Sequence, residues 1–153
     1  FALNSLARCL DGSKKWKEAE DAAMRAIAIL SAKYGTNDSS LTTSYLMLGS
    51  IYSQQNRFAE AERAYLRCIS VVKESADAKT QAYYRNALAG LYMQSARFAE
   101  AEGIYKTNLE NLEQKCGTEG TELLPTLQGY ATLLRLTGRR AEAAAVTPRE
   151  WKR

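Results

Sequence analysis

The hexapeptide Arg57-Phe58-Ala59-Glu60-Ala61-Glu62 returns as Arg97-Phe98-Ala99-Glu100-Ala101-Glu102. A related copy, Lys15-Trp16-Lys17-Glu18-Ala19-Glu20, stands one such interval before the first, and a more degenerate one, Arg139-Arg140-Ala141-Glu142-Ala143-Ala144, one interval after the second. Recurrence at a period of roughly 20–50 residues marks an array of supersecondary units, each too small to bury its apolar face alone.

Around each copy the layout is the same. An apolar-periodic segment comes first, then a short polar break, then the hexapeptide, which opens a second apolar-periodic segment. In the second copy the first segment holds Tyr45, Leu48, Gly49 and Tyr52, and the break is Gln55-Asn56-Arg57. The second segment holds Phe58, Ala61, Tyr65, Cys68, Ile69 and Val72. Spacings of three and four put these residues on one helical face, and the alternation of a strand is missing. The repeating unit is thus a helix–turn–helix hairpin. Its small residues share repeat positions: Ala7, Gly49, Ala89 and Ala131 at one, Ala19, Ala61, Ala101 and Ala143 at another. Helices approach to about 8–10 Å only where side chains are small. First helices are expected at about 2–12, 39–54, 78–95 and 120–137, and second helices at 15–33, 57–75, 98–115 and 140–147. Gly35 and Gly117 are placed for a left-handed residue after a helix, with Asn37, Asp38 and Thr118 as caps for the next one. Thr147-Pro148 stops the last helix.

These residues resemble the motif of the tetratricopeptide-repeat family, whose consensus runs W-x2-L-G-x2-Y followed by spaced Ala and Phe. The second copy matches at Tyr45, Leu48, Gly49, Tyr52, Ala61, Tyr65 and Cys68. The third matches at Leu88, Ala89, Tyr92, Ala101 and Tyr105. The period exceeds the usual 34 residues by about eight, which is similar to the kinesin-light-chain-like subclass. The resemblance implies an all-α, right-handed superhelical solenoid of four hairpins. The expected repeats are residues 1–38, 39–77, 78–119 and 120–147, with 148–153 as a basic tail. The array has the look of a piece of a longer protein. Trp151 could fold over an exposed end, or the ends could pack on another copy.

Composition fits one domain of this kind. The 153 residues are 46% hydrophobic and 25% charged, with 2 prolines and 9 glycines. Such a chain buries roughly 68–70% of its unfolded surface and needs no staple. No apolar run is long enough to span a bilayer, and Phe1–Leu10 is broken by Asn4, Ser5 and Arg8, unlike a secretory leader. Net charge is +4, but residues 1–138 hold 16 Lys and Arg against 15 Asp and Glu. The excess sits in residues 139–153, so no basic stripe runs along the body and nucleic acid is a poor partner.

Chemistry is sparse. The chain has no histidine, which removes the commonest general base and metal ligand. Cys9, Cys68 and Cys116 are isolated and odd in number, so neither a disulfide framework nor a metal site is expected; thiols without a framework lean towards a reducing compartment, and the resemblance implies a cytoplasmic protein, with a periplasmic or membrane-tethered parent as the alternative. The glutamates two apart (Glu18 and Glu20, Glu60 and Glu62, Glu100 and Glu102) diverge by about 200° on a helix and recur with the repeat, so they read as scaffold. Ser39 and Ser40 beside Asp38 read as a cap. No catalytic residue, metal site or cofactor is expected.

Function is therefore expected on a surface. In such solenoids the first helices line the concave wall. Counting along the repeat places Asn4, Arg8 and Asp11 there in the first copy, Thr43, Leu46, Ser50, Ser53 and Gln54 in the second, Tyr83, Asn86, Gly90, Met93 and Gln94 in the third, and Gln128, Thr132 and Arg135 in the fourth. This wall is rich in amides and hydroxyls, which can pair with a peptide backbone regardless of side-chain sequence. Leu46, Tyr83 and Met93 offer apolar anchors. The resemblance adds that Asn at such positions often holds a peptide, matched by Asn4 and Asn86. A Lys/Arg-rich clamp for a terminal carboxylate, used by some relatives, is not evident. The expected function is a non-catalytic scaffold binding a partner peptide or helix; self-assembly into a homo-oligomer through end faces is the alternative.

Overall fold

A computed structural model describes residues 15–72, 77–117 and 121–146; the helix expected over 2–12, together with Asn4, Arg8, Thr118, Pro148 and Trp151, lies outside them. The described residues form seven α-helices: α1 (Trp16–Tyr34), α2 (Thr42–Gln54), α3 (Phe58–Val72), α4 (Ala78–Gln94), α5 (Phe98–Cys116), α6 (Leu124–Leu136) and α7 (Arg140–Val146). Short 3-10 turns at Ser39–Leu41 and Thr121–Leu123 lead into α2 and α6. No strand occurs among the described residues. The chain divides into two compact units, residues 1–76 and 77–153.

In the first unit α2 and α3 form an antiparallel hairpin, and α1 packs on α2. Ala19, Ala22, Ala23 and Ala26 are the buried stripe of α1. Ala22 and Ala23 meet Leu48 and Ala64, with Ile27, Met47 and Tyr52 closing over them. Gly49 is required by contact: a Cβ there would sit 2.5 Å from Cε1 of the buried Tyr65 ring. That is far inside van der Waals separation, so α2 and α3 come as near as they do because position 49 carries no side chain.

In the second unit α4–α5 and α6–α7 are hairpins, and α6 packs on both α4 and α5. Ala78, Ala82, Leu112 and Leu123 form a core cluster, flanked by Leu109 and Leu127. Gly129 is a second close approach, with Tyr105 Cε1 2.6 Å from where its Cβ would be.

The breaks between hairpin helices share one geometry. Asn56, Ala96 and Gly138 have φ of 58°, 58° and 80°. The next residue's N–H then reaches back to close the helix: Arg57 to Tyr52 O (2.9 Å), Arg97 to Tyr92 O (2.8 Å) and Arg139 to Leu134 O (2.8 Å). Orphan helix-end carbonyls are satisfied this way only if the reversing residue is left-handed. Sequence spacing assigns that role to Gly35 and Gly117 instead. Both have positive φ, 92° and 78°, but their ψ values of 165° and 170° are extended. They lead the chain out into the longer connections and do not act as left-handed caps. Asp38 does cap, accepting from Ser40 N at 2.9 Å.

Candidate functional site

The repeat-encoded glutamates resolve into two roles. In the first unit the Glu20 carboxylate accepts from Tyr52 Oη (3.0 Å) and Arg57 Nη1 (2.9 Å), and Arg57 also pairs with Glu60 at 2.6 Å. The second unit repeats the arrangement two hairpins further along. There Glu102 accepts from Tyr130 Oη (3.1 Å) and Arg139 Nη1 (2.8 Å), and Arg139 pairs with Glu142 at 2.6 Å. In the three copies that open on Arg, the first glutamate pairs with the Arg three residues before it (Glu60 with Arg57, Glu100 with Arg97, Glu142 with Arg139), while Glu20 and Glu102 reach the following repeat. Lys106 adds a third bond to Glu102 at 2.8 Å. Its lysine and arginine partners pull the Glu102 carboxyl down from 4.5 to about 2. These carboxylates are spent on packing; an open depression of about 610 Å³ is lined by the Glu20–Arg57 pair together with Lys15, Trp16, Glu18 and Gln55.

The residues expected on the first-helix wall divide by environment. On α2, Thr43 and Gln54 are exposed and Leu46 and Ser50 half-buried. Their spacings of three, four and four place them on one face, and Gln54 Nε2 donates to Ser50 Oγ at 3.4 Å. Ser53 is not on that face: it is buried at 7% exposure, so it leaves the candidate wall. On α4, Tyr83 is 60% exposed. Asn86 and Met93 are half-buried and Gln94 is exposed. Met93 Sδ accepts from Tyr105 Oη at 3.4 Å. On α6, Gln128, Thr132 and Arg135 are all exposed.

Two of these residues, Tyr83 and Asn86, line a cleft of about 470 Å³ between α4 and the turn entering α6. Lys79, Tyr84, Glu122 and Thr126 also line it. Tyr83 and Tyr84 meet edge to face, centroids 5.2 Å apart at 79°. Asn86 Nδ2 donates to Thr126 Oγ1 at 2.9 Å, and Asn86 Oδ1 accepts from Asn108 Nδ2 at 3.0 Å. Asn108, on α5, is 1% exposed and also donates to Ala82 O at 3.3 Å. Asn86 is therefore tied into the core beneath the cleft. Helical periodicity singles out neither Thr126 nor Asn108. The signal available was that Asn108 stands where the earlier copies have Cys68 and Ala26.

Cys68 is buried and donates to Thr42 O at 3.5 Å; burial pushes its thiol up to about 12. Among the described residues no three His, Cys, Asp or Glu side chains gather where a metal could be held. No helix among them is long and apolar enough to cross a membrane.

Residues 1–74 match the model of the tetratricopeptide repeat family. No curated protein matches the chain by sequence. In fold it is similar to a kinesin light chain of Podosopora anserina built of nearly identical TPR-like repeats. That likeness has a TM-score of 0.77 at 17% identity and covers 95% of this chain and 69% of the other. A second crystal structure of that protein matches with a TM-score of 0.77 at 16% identity, covering 95% of this chain and 70% of the other. BtubC (BKLC) from P. vanneervenii matches with a TM-score of 0.79 at 17% identity, over 95% of this chain and 59% of that longer one. Residues 1–74 thus carry the sequence signature of the tetratricopeptide repeat family, and the chain shares the helical-hairpin fold of kinesin-light-chain-like arrays.

Proposed function

We propose that the chain is a non-catalytic protein–protein interaction scaffold that receives a segment of its partner on the first-helix faces. The repeat fold generally serves as such a scaffold. The observation that carries the reading to these residues is the cleft of about 470 Å³ against α4, where the exposed Tyr83 stands beside the anchored amide of Asn86. A concave site with an aromatic anchor and a few fixed polar groups is what recognition of a peptide requires. The outward face of α2, with Leu46 between Thr43 and Ser50, supplies a second stretch of the same chemistry. In this reading the chain works in a reducing, cytoplasmic setting, in keeping with its buried, unreactive Cys68.

The test is affinity capture with the native chain beside Leu46→Arg and Tyr83→Ala, followed by titration of each purified binder against all three. Tyr83 is 60% exposed, so Tyr83→Ala keeps native thermal stability; Leu46 is half-buried, so Leu46→Arg is read only where its melting temperature matches that of the native chain. A binder lost by either variant supports the reading. Binders indifferent to both move recognition to another surface, and concentration-dependent sedimentation with no binder favours self-assembly. Asn86→Ala, attractive from sequence, is a poor first probe because it also strips partners from Asn108 and Thr126.

A further inference from the structure

The repeat symmetry is broken at one buried place. In the first unit the thiol of Cys68 bonds the carbonyl of Thr42, 26 residues earlier, and Leu46 lies one turn on. In the second unit the equivalent residue, Asn108, bonds the carbonyl of Ala82, again 26 residues earlier. Here, though, its amide goes on to Asn86, which occupies the position of Leu46, and Asn86 continues to Thr126. The extension is poor as stabilisation alone. Asn108 Oδ1 is buried with no hydrogen-bond partner, and an unsatisfied buried acceptor opposes folding.

The chain of bonds has a direction. A backbone carbonyl can only accept, so Ala82 O requires the Nδ2 side of Asn108. Asn108 Nδ2 then requires the Oδ1 side of Asn86. Asn86 must turn its Nδ2 towards Thr126 and the cleft, with one amide hydrogen still to give. A flexible amide would offer donor or acceptor with equal ease; this one is locked as a donor.

We propose that Asn108 is a positioning residue that fixes the hydrogen-bond polarity of the cleft. The occupant is an extended peptide segment that places a main-chain carbonyl on Asn86 Nδ2, beside the Tyr83–Tyr84 pair. This rests on the function proposed above and adds what the partner must present. A backbone carbonyl fits better than a carboxylate, because Lys79 and Glu122 both line the cleft and leave no net charge to favour an anion.

Two measurements on the full chain test it. The first needs no ligand: the order parameter of the Asn86 side-chain amide by nuclear magnetic resonance, in the native chain, Asn108→Cys, Thr126→Val and Thr126→Ser. Asn108→Cys installs the residue of the preceding copy, which keeps the bond to the carbonyl and drops the one to Asn86. The amide should be as ordered as backbone in the native chain and in Thr126→Ser, and mobile in the other two. The second uses random twelve-residue peptides displayed on phage, selected on the native chain and retained only if Tyr83→Ala abolishes capture. Retained peptides should bind Asn108→Cys and Thr126→Val about 3–10-fold more weakly, the worth of one oriented hydrogen bond, and Thr126→Ser as well as the native chain. Replacing one peptide carbonyl by a thiocarbonyl, a weaker acceptor, should weaken binding to the native chain and not to Asn108→Cys. An amide equally ordered in Asn108→Cys, or affinities indifferent to it, overturns the positioning role while leaving the scaffold reading intact. If no Tyr83-dependent peptide emerges, the peptide occupant and the proposed groove fall together, whatever the amide shows.

Discussion

Replacing Glu102 by Gln tests how far repeat packing depends on a single carboxylate. Glu102 is about one-fifth exposed and takes three bonds, from Lys106, Arg139 and Tyr130. Gln keeps an acceptor for the Tyr130 hydroxyl and loses the charge that holds the two cations. A carboxyl drawn from 4.5 to about 2 corresponds to a ceiling of about 3 kcal/mol, at about 1.36 kcal/mol per pH unit. Partial exposure of Lys106 and Arg139 screens this, and Arg139 keeps Glu142, so a loss of about 1–2 kcal/mol at pH 7 is expected. The sign of the pH dependence comes from the direction of the shift. The folded state holds the carboxyl below its unfolded value, so the stabilisation is complete above about pH 5 and is lost as pH falls towards 2. Urea denaturation of the native chain and Glu102→Gln at pH 7 and pH 3 reads it directly. The gap between the two midpoints should shrink by more than half at pH 3. A gap that stays constant, or one at pH 7 below the floor of about 0.2 kcal/mol typical of exposed ion pairs, would show that the cluster is ornamental and that apolar packing alone seats α6 on α5.

Three further outcomes are expected. Gly49→Ala should destabilise by about 1–2 kcal/mol, because overpacking against Tyr65 outweighs the helix-propensity gain of about 1 kcal/mol; a melting temperature that rises would mean the ring moves aside freely. Ala96→Gly should stabilise by about 0.5–1 kcal/mol in a urea titration, since a left-handed alanine is strained by about 1–2 kcal/mol and glycine is not, and a loss instead would mean that unfolded-state entropy dominates. Cys68 should resist alkylation at pH 8 in the folded chain and react on unfolding, followed peptide by peptide in a mass spectrometer; labelling as fast in both states would contradict its burial.

Much of the architecture was legible in the amino-acid sequence because a repeat writes the same packing problem several times. The recurring Ala and Tyr positions disclosed the helices, their pairing and their small-residue contacts: Ala19, Ala61, Ala101 and Ala143 are all buried at 2% exposure or less. Tyr83 stands off the packing stripe in sequence and is exposed in the structure. The glutamates read as scaffold because they recur, and Glu20 and Glu102 are indeed engaged by Arg and Tyr of the next repeat. Periodicity also placed Thr43, Leu46 and Ser50 on one face of α2.

What the pattern could not supply were features that depend on a neighbour distant along the chain or on how a break closes. The left-handed residue of each break is Asn56, Ala96 or Gly138, three different residue types. Asn and Gly take that backbone readily and Ala does not, so at Ala96 it is imposed by the closing bond to Tyr92, and the glycines at 35 and 117 are no guide to it. Gly129 lies off the repeat's small-residue position and is explained only by the Tyr105 ring over it. The cleft is the same kind of case. Asn86 reads as one of several wall amides, but its orientation is set by Asn108, 22 residues later, and Thr126, 40 residues later. Helical periodicity is a local property fixed by about 3.6 residues per turn, and one sequence suffices to display it. The direction of an amide is fixed by partners that only tertiary packing brings within about 3 Å, and there the fold alone decides.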